Sequence, residues 1–199
     1  MKSPFIIGLT GSIGMGKSTT SKMFRDEGVP TWSADDAVHR LYQPGAAGAM
    51  ALESIFPDVV GSNGVDRDAL SKKIAADSSS LKVVENAIHP LVAADRARFV
   101  AETRAEILLL DIPLLFEIGA EDQVDLVAVV SVDGDTQKQR VLSRPGMTED
   151  KFEMILSKQM PDAEKRRRAE VVIDTSTLES ARLGVQNTLE QIRNRLANA

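Results

Sequence analysis

Cysteine is absent from the 199-residue chain, and aromatic residues make up only 4% of it. The first absence excludes disulfides, thiolate metal sites and cysteine nucleophiles. There is no long basic tract and the formal net charge is −5, so nucleic acid is not expected as a partner. No apolar run approaches the roughly 18 residues of a membrane span, and the N-terminal run is too short for a signal peptide. We therefore expect a cytoplasmic protein that binds neither membranes nor nucleic acid.

Apolar residues, at 43% of the chain, form short runs typical of buried parallel strands. Helical stretches separate these runs, and this alternation predicts an α/β fold with a parallel sheet and helices on both faces. The whole chain, 1–199, is expected to form one such domain. The strands are expected at Phe5 to Leu9, Val29 to Trp32, Ile107 to Leu110, Leu126 to Val132 and Val171 to Ile173.

About seventy residues between the second and third expected strands carry no strand pattern. We interpret residues 36–105 as a helical insertion that binds an acceptor substrate, interrupted by turns at Pro44-Gly45, Pro57-Asp58, Asn63-Gly64 and His89-Pro90. A second segment, about 135–170, contains nine Lys/Arg against seven Asp/Glu, a net charge of +2 on an acidic protein. It is expected to be a helical lid over phosphates, although a solvated helical face would have the same charge pattern.

The first expected strand leads into a glycine-rich loop, Gly11-Ser12-Ile13-Gly14-Met15-Gly16-Lys17-Ser18. Its spacing is that of a P-loop, in which glycines let backbone N–H groups approach phosphates at the start of a helix. Lys17 is expected to reach the β- and γ-phosphates of ATP, and the Ser18 hydroxyl to bind Mg²⁺. The sequence has no Asn/Thr-Lys-x-Asp motif, which a GTPase would need in order to recognise guanine. The pattern therefore favours a small-molecule kinase over a GTPase.

Carboxylates follow two of the expected strands. Asp35 should lie at the carboxyl edge of the sheet, where ligands of open α/β sheets bind, and could accept the proton of an attacking hydroxyl. Asp36 could do the same, and either residue could instead cap the following helix. Asp111 follows another strand and could hold a magnesium-bound water or belong to a strand-end turn.

Together with this loop, several further motifs resemble the dephospho-coenzyme A kinase family. They are Ser33-Ala34-Asp35, Gly64-Val65-Asp66-Arg67-Asp68-Ala69-Leu70, Ile88-His89-Pro90 and Asp111-Ile112-Pro113-Leu114-Leu115-Phe116-Glu117. The resemblance continues in family order through Gln139-Arg140, Arg144, Gln159, Lys165 and Ala169-Glu170-Val171-Val172-Ile173, and so covers most of the chain.

The resemblance implies a P-loop kinase that makes coenzyme A from ATP and dephospho-coenzyme A with Mg²⁺. We expect a monomer or small homo-oligomer. It implies catalytic roles for Asp35 as general base, Lys17 and Arg140. ATP would be bound by Gly11, Ser12, Ile13, Gly14, Met15, Gly16, Lys17, Ser18, Thr19 and Arg144, with Ser18 on the metal. Dephospho-coenzyme A would be bound by His39, Arg67, His89, Leu114, Leu115, Phe116 and Glu117.

Some of these assignments have local alternatives. Arg140 could be a surface charge, and His39 could be solvated rather than orienting Asp35 from one helical turn away. His89, before Pro90, is expected to shape a turn, and most of the basic run 165–168 is expected to be solvated. Two positions depart from the family pattern: Ser33 replaces its first aspartate, and Asp174-Thr175 stands where the family often has asparagine.

Overall fold

The computed structural model describes residues 3–198, and the chain divides into two compact units. The first unit contains the described chain up to Thr31 and again from Arg104 onward, and the second contains Trp32–Thr103. Within residues 3–198, no helix combines the length and the apolar character needed to cross a bilayer.

Parallel strands form the centre of the first unit. β1 (Phe5–Thr10) pairs in parallel with β5 (Ile107–Asp111) and with β6 (Leu126–Ser131), and β6 pairs in parallel with β7 (Val171–Asp174). Together with β2 (Thr31–Ser33), they form a five-stranded sheet in the order β2-β5-β1-β6-β7. β5 and β6 are buried along their whole length, as strands covered on both faces must be.

Two helices close the core of this unit. α1 (Lys17–Asp26) follows β1, and α9 (Leu178–Ala197) follows β7; the two helices pack against each other. Their apolar faces meet the sheet in one cluster, which includes Ile7, Leu9, Phe24, Ile173, Val185 and Leu189. Three shorter helices lie between β6 and β7, in the segment expected as a lid: α6 (Gly134–Leu142), α7 (Glu149–Leu156) and α8 (Asp162–Arg168).

The second unit is mainly helical. It contains α2 (Ala34–Leu41), α3 (Ala47–Ile55), α4 (Arg67–Ala76) and α5 (Ser79–Glu102). A two-stranded antiparallel hairpin joins α3 to α4, with β3 (Val60–Gly61) and β4 (Gly64–Val65) as its strands. The core of the unit consists of Leu52, Val59, Leu70, Val84 and Ile88.

Three sequence expectations are corrected here. The second strand begins at Thr31 rather than Val29, and the insertion contains the hairpin where no strand was expected. The expected turn at His89-Pro90 is wrong, because both residues lie inside the continuous helix α5. Pro90 cannot donate the usual helical hydrogen bond, but α5 packs against α2, α3 and α4 and buries Val84 and Ile88. This packing outweighs the local cost of the proline.

Candidate active site

The glycine-rich loop joins β1 to α1 in a backbone form that only glycine adopts easily. Gly14 and Gly16 have φ angles of 80° and 87°, and Gly16 is the N-cap of α1. A Cβ at Gly14 would lie 2.5 Å from Val141 Cγ2, so a side chain would collide with α6. The loop therefore presents the free N–H groups and positive dipole end of α1 to any bound anion.

Lys17 is held by a carboxylate of the neighbouring strand. Its Nζ donates a hydrogen bond to Asp111 Oδ1, and the side chains are only 14% and 7% exposed. Asp111 is opposite Leu9 in the β1–β5 register, which brings it to the end of the sheet where the loop begins. Of the two alternatives for Asp111, a simple strand-end turn does not account for this ion pair.

Two glutamines form hydrogen bonds with the backbone of the loop at Ile13. The backbone N–H of Ile13 donates to Gln159 Oε1 at 3.0 Å, and Gln137 Nε2 donates to the Ile13 carbonyl at 2.8 Å. Gln137 lies on α6 and is buried, whereas Gln159 follows α7. The segment expected as a lid is thus bonded directly to the phosphate loop. Gln137 was not among the expected site residues, because a lone glutamine in a polar helix carries no sequence signal.

Arg140 and Arg144 lie in the first unit beside the glycines of this loop. Arg140 Nη2 donates to the Thr175 carbonyl at 2.7 Å, so Arg140 is not a free surface charge. Thr175 is itself buried, and its Oγ1 donates to the Met15 carbonyl at 2.8 Å. The cavity at this place measures about 380 Å³ and is lined by Gly14, Gly16, Thr19, Thr20, Arg140, Arg144, Thr175, Ser176, Thr177, Leu178 and Ala181.

A larger concavity of about 740 Å³ lies along α9 and is open to solvent. Its lining is polar, and none of the expected site residues belongs to it. The lining residues are Asn187, Glu190, Gln191, Asn194, Arg195 and Asn198. The smaller cavity beside the glycine loop is therefore the candidate nucleotide site.

The segment after β5 contains the four residues expected at the acceptor. Of the three apolar residues among these four, only Leu114 is exposed, whereas Leu115 and Phe116 are buried. Arg168 stacks its guanidinium 4.7 Å from the centre of the Phe116 ring. An acceptor can therefore meet this stretch through the side chain of Leu114, while the buried pair supports the loop.

Glu117 lies in a buried ion pair. Its Oε1 is 2.8 Å from Lys165 Nζ, in a geometry that is not aligned as a hydrogen bond, and it accepts from the Met160 N–H at 2.8 Å. Lys165 is completely buried, whereas Arg166, Arg167 and Arg168 are exposed. Most of this basic run is therefore exposed, as expected, and Lys165 is the exception.

The second unit carries Asp35 in the first turn of α2. Ser33 is the N-cap of this helix, and its Oγ accepts from the Asp36 N–H at 3.2 Å. The alternative that Asp35 or Asp36 caps the helix is therefore wrong, because Ser33 does so. Asp35 is left exposed, with its carboxylate free of that structural task.

The other expected residues of this unit occupy different elements. His39 Nε2 lies 3.2 Å from Gln43 Nε2, so the ring of His39 contacts Gln43, just beyond the end of the same helix. The guanidinium of Arg67 stands 5.7 Å from the centre of the Tyr42 ring. Burial raises the pKa of Tyr42, and the nearby Arg67 charge partly offsets this rise. His89 is exposed on α5.

Comparison with known proteins gives one consistent family. The family model described as CoaE: Dephospho-CoA kinase matches residues 5–180. A dephospho-CoA kinase from Ruegeria pomeroyi is 53% identical over 189 residues, covering 95% of this chain and 96% of that protein.

Two solved structures share the fold over nearly the whole chain. A crystal structure of a protein from Thermus thermophilus has a TM-score of 0.82 and 30% identity, covering 98% of this chain and 99% of that one. A dephospho-CoA kinase from Campylobacter jejuni has a TM-score of 0.67 at 22% identity, with 96% and 98% covered. The expected α/β P-loop kinase fold is confirmed.

Proposed function

The chain belongs to the dephospho-CoA kinase family, which makes it a kinase of coenzyme A biosynthesis, and on this premise we propose its detailed reaction. It transfers the γ-phosphoryl group of ATP to the ribose 3′-hydroxyl of dephospho-CoA, which gives CoA and ADP. The observation that carries the proposal is the Lys17–Asp111 pair beside the glycine loop. A cation held at the start of a helix is the arrangement that binds and neutralises the phosphates of a nucleotide.

The residues of the first unit bind ATP in this proposal. The N–H groups of the loop and the start of α1 receive the phosphates, and Lys17 exchanges part of its contact with Asp111 for γ-phosphate oxygens. The neighbouring cavity of about 380 Å³ receives the nucleoside and the phosphates next to it, with Arg140 and Arg144 at its wall. Arginine suits this position because its planar fork grips phosphate oxygens and stays charged when water is excluded.

The chemistry of the donors fits Mg²⁺, which is proposed as the metal. Ser18 is exposed in the first turn of α1, next to Lys17, and Asp111 supplies a carboxylate at the same loop. No group of three His, Cys, Asp or Glu side chains within residues 3–198 forms a metal cage. This agrees with Mg²⁺, which uses few protein ligands and completes its shell with water and substrate phosphates. When bound, Mg²⁺ would neutralise part of the phosphate charge, and Ser18 and Asp111 are the residues that would hold it.

Asp35 is proposed as the general base. Its carboxylate is exposed and does not cap α2, so it is available to accept the proton of the attacking hydroxyl. The second unit is proposed to bind dephospho-CoA, and its exposed Arg67 and His89 suit the phosphates of that substrate. A cytoplasmic location belongs to the same proposal and is compatible with a chain that lacks cysteine.

An acceptor panel tests the proposal. Purified protein is supplied with ATP and Mg²⁺, and ADP release is followed with dephospho-CoA, a nucleoside monophosphate, shikimate or gluconate as acceptor. We expect fast ADP release only when dephospho-CoA is the acceptor. A protein that prefers another acceptor would show that the fold is right and the substrate wrong.

A further inference from the structure

A partly buried carboxylate in the second unit receives three donors from three different elements. Trp32 Nε1 donates to Asp95 Oδ1 at 2.7 Å, and Arg40 Nη2 donates to the same oxygen at 2.6 Å. Arg98 Nη2 donates to Asp95 Oδ2 at 3.1 Å. Asp95 belongs to α5, and its side chain is only 9% exposed.

The first two donors flank the candidate base in the chain. Trp32 lies on β2, three residues before Asp35, and Arg40 lies on α2, five residues after it. One oxygen of Asp95 therefore accepts hydrogen bonds from the chain on both sides of the turn that carries Asp35. Arg98 is different, because it lies on α5 itself, three residues beyond Asp95.

This carboxylate is well suited to fix a backbone. Burial raises the pKa of Asp95, but hydrogen bonds from Trp32 and Arg40, together with the charges of Arg40 and Arg98, leave it below the ordinary value. Asp95 therefore stays ionised at neutral pH. Hydrogen bonds to an ionised acceptor are shorter and stronger than neutral ones, and α5 itself packs against α2.

We propose that Asp95 is a positioning residue for Asp35: it holds β2 and the C-terminal half of α2 to the long helix α5, and so fixes the turn between them. The inference rests on the proposed function, in which Asp35 is the general base. A base must meet the hydroxyl within hydrogen-bonding distance, and an error of about 1 Å in such geometry can cost about 100-fold in rate.

The kinetic test compares a variant of Asp95 with variants of the two arginines that bind its carboxylate. Asp95→Asn keeps an acceptor for Trp32 but removes the charge that holds Arg40, and we expect kcat to fall at least about tenfold. Because the nucleotide residues lie in the first unit, KM for ATP should not change. Arg40→Ala should reproduce this loss. Arg98→Ala is the matched control, since Arg98 connects α5 only to itself, and it should keep the wild-type rate.

A spectroscopic test is independent of any acceptor. Trp32 is the only tryptophan in the sequence, so its fluorescence reports on the segment next to Asp35. Asp95→Ala should alter the emission of Trp32 and lower its anisotropy, with the circular dichroism spectrum unchanged. Asp58→Ala breaks an exposed ion pair with Lys73 in the same unit and should leave the emission as in the wild type.

A double variant shows whether Asp95 acts through Asp35. In the Asp35→Asn background, Asp95→Asn should cause no further loss of kcat, because the base that it positions is already gone. Multiplicative losses, or a wild-type rate for Asp95→Asn, would overturn the inference while the proposed function stood. A wild-type protein that does not phosphorylate dephospho-CoA would overturn the proposed function itself.

Discussion

At the residue scale, Lys17 pairs with Asp111 in the structure and would contact the γ-phosphate in the proposed reaction. An ammonium on a flexible stem suits this exchange, because it is a compact charge that needs no fixed fork geometry.

Lys17→Ala should nearly abolish turnover, because it removes the cation that stabilises the charged transition state. It also leaves Asp111 buried without its partner, which should lower the free energy of unfolding by about 3 kcal/mol. Steady-state ADP release and urea unfolding measure the two effects. The double variant Lys17→Met/Asp111→Asn should recover most of the lost free energy of unfolding but none of the lost turnover. A rate loss below about tenfold, near 1.4 kcal/mol, would contradict this role.

Asp35→Asn separates chemistry from helix capping. Asparagine keeps the size of the side chain but cannot take a proton at neutral pH, so the rate should fall roughly 10²–10⁴-fold while calorimetry still detects both substrates. Stability should change by less than about 1 kcal/mol, because Ser33 is the cap.

Two neighbours are the controls for Asp35. Asp36→Asn should be mild in rate, and Ser33→Ala should cost about 1 kcal/mol of stability because it removes the cap of α2. If Asp36→Asn were inactive and Asp35→Asn active, the general base would be Asp36 instead.

At the element scale, sequence patterns predict the strands well and short or overridden features poorly. β5 and β6 are apolar except at their last residues, and they lie within one residue of their expected bounds. The hairpin β3–β4 has two residues in each strand, too few for an alternating pattern. Asn63-Gly64 is a turn signal at this place, although the turn itself is Ser62-Asn63 and Gly64 begins β4. Pro90 signals a helix end locally, but the packing of Val84 and Ile88 keeps α5 continuous.

The residues of the candidate site also divide into those that the sequence predicts and those that it does not. The P-loop and Asp111 are visible in the sequence because fixed spacing and a strand end mark them. Gln137 and Asp95 are not visible, because their importance comes from partners 124 and 63 residues away in the chain. Lys165 is marked in the sequence only by the family resemblance, and its complete burial against Glu117 could not be predicted from its place in a basic run.

Arg140 connects α6 to the turn after β7. Its fork reaches the Thr175 carbonyl, with Nη1 also 3.4 Å from Thr175 Oγ1. Arg140→Lys keeps the charge but loses the fork, so both kcat and ATP affinity should fall. Arg193→Lys, on the exposed side of α9, is the matched control and should behave as the wild type. An Arg140→Lys variant with full activity would show that only the charge of Arg140 matters.

The pair of Lys165 and Glu117 holds α8 to the loop after β5. Lys165→Met leaves Glu117 without its charge partner in a buried place and should destabilise the fold by about 3–5 kcal/mol. Arg167→Ala, which breaks the exposed pair with Glu164, should cost less than about 1 kcal/mol. Thermal and urea unfolding measure both values. Equal effects would mean that the buried pair contributes no more than a surface pair.

At the scale of the whole molecule, the expected functional residues fall into two groups. The first unit contains the P-loop, Lys17 and the two arginines of the cavity, and the second contains Asp35 with the network around Asp95. The family model spans residues 5–180, which include the whole of the second unit and most of the first. The activity should therefore belong to the whole chain.

The most direct test of this account follows the phosphate itself. Purified wild-type protein is incubated with ATP labelled in its γ-phosphate, Mg²⁺ and dephospho-CoA, and the products are separated and examined by ³¹P NMR. We expect the label in CoA, as a phosphomonoester on the ribose 3′-oxygen, with one ADP formed for each CoA and almost no ADP when dephospho-CoA is left out. Label released as inorganic phosphate at the same rate with and without dephospho-CoA would contradict the proposed function.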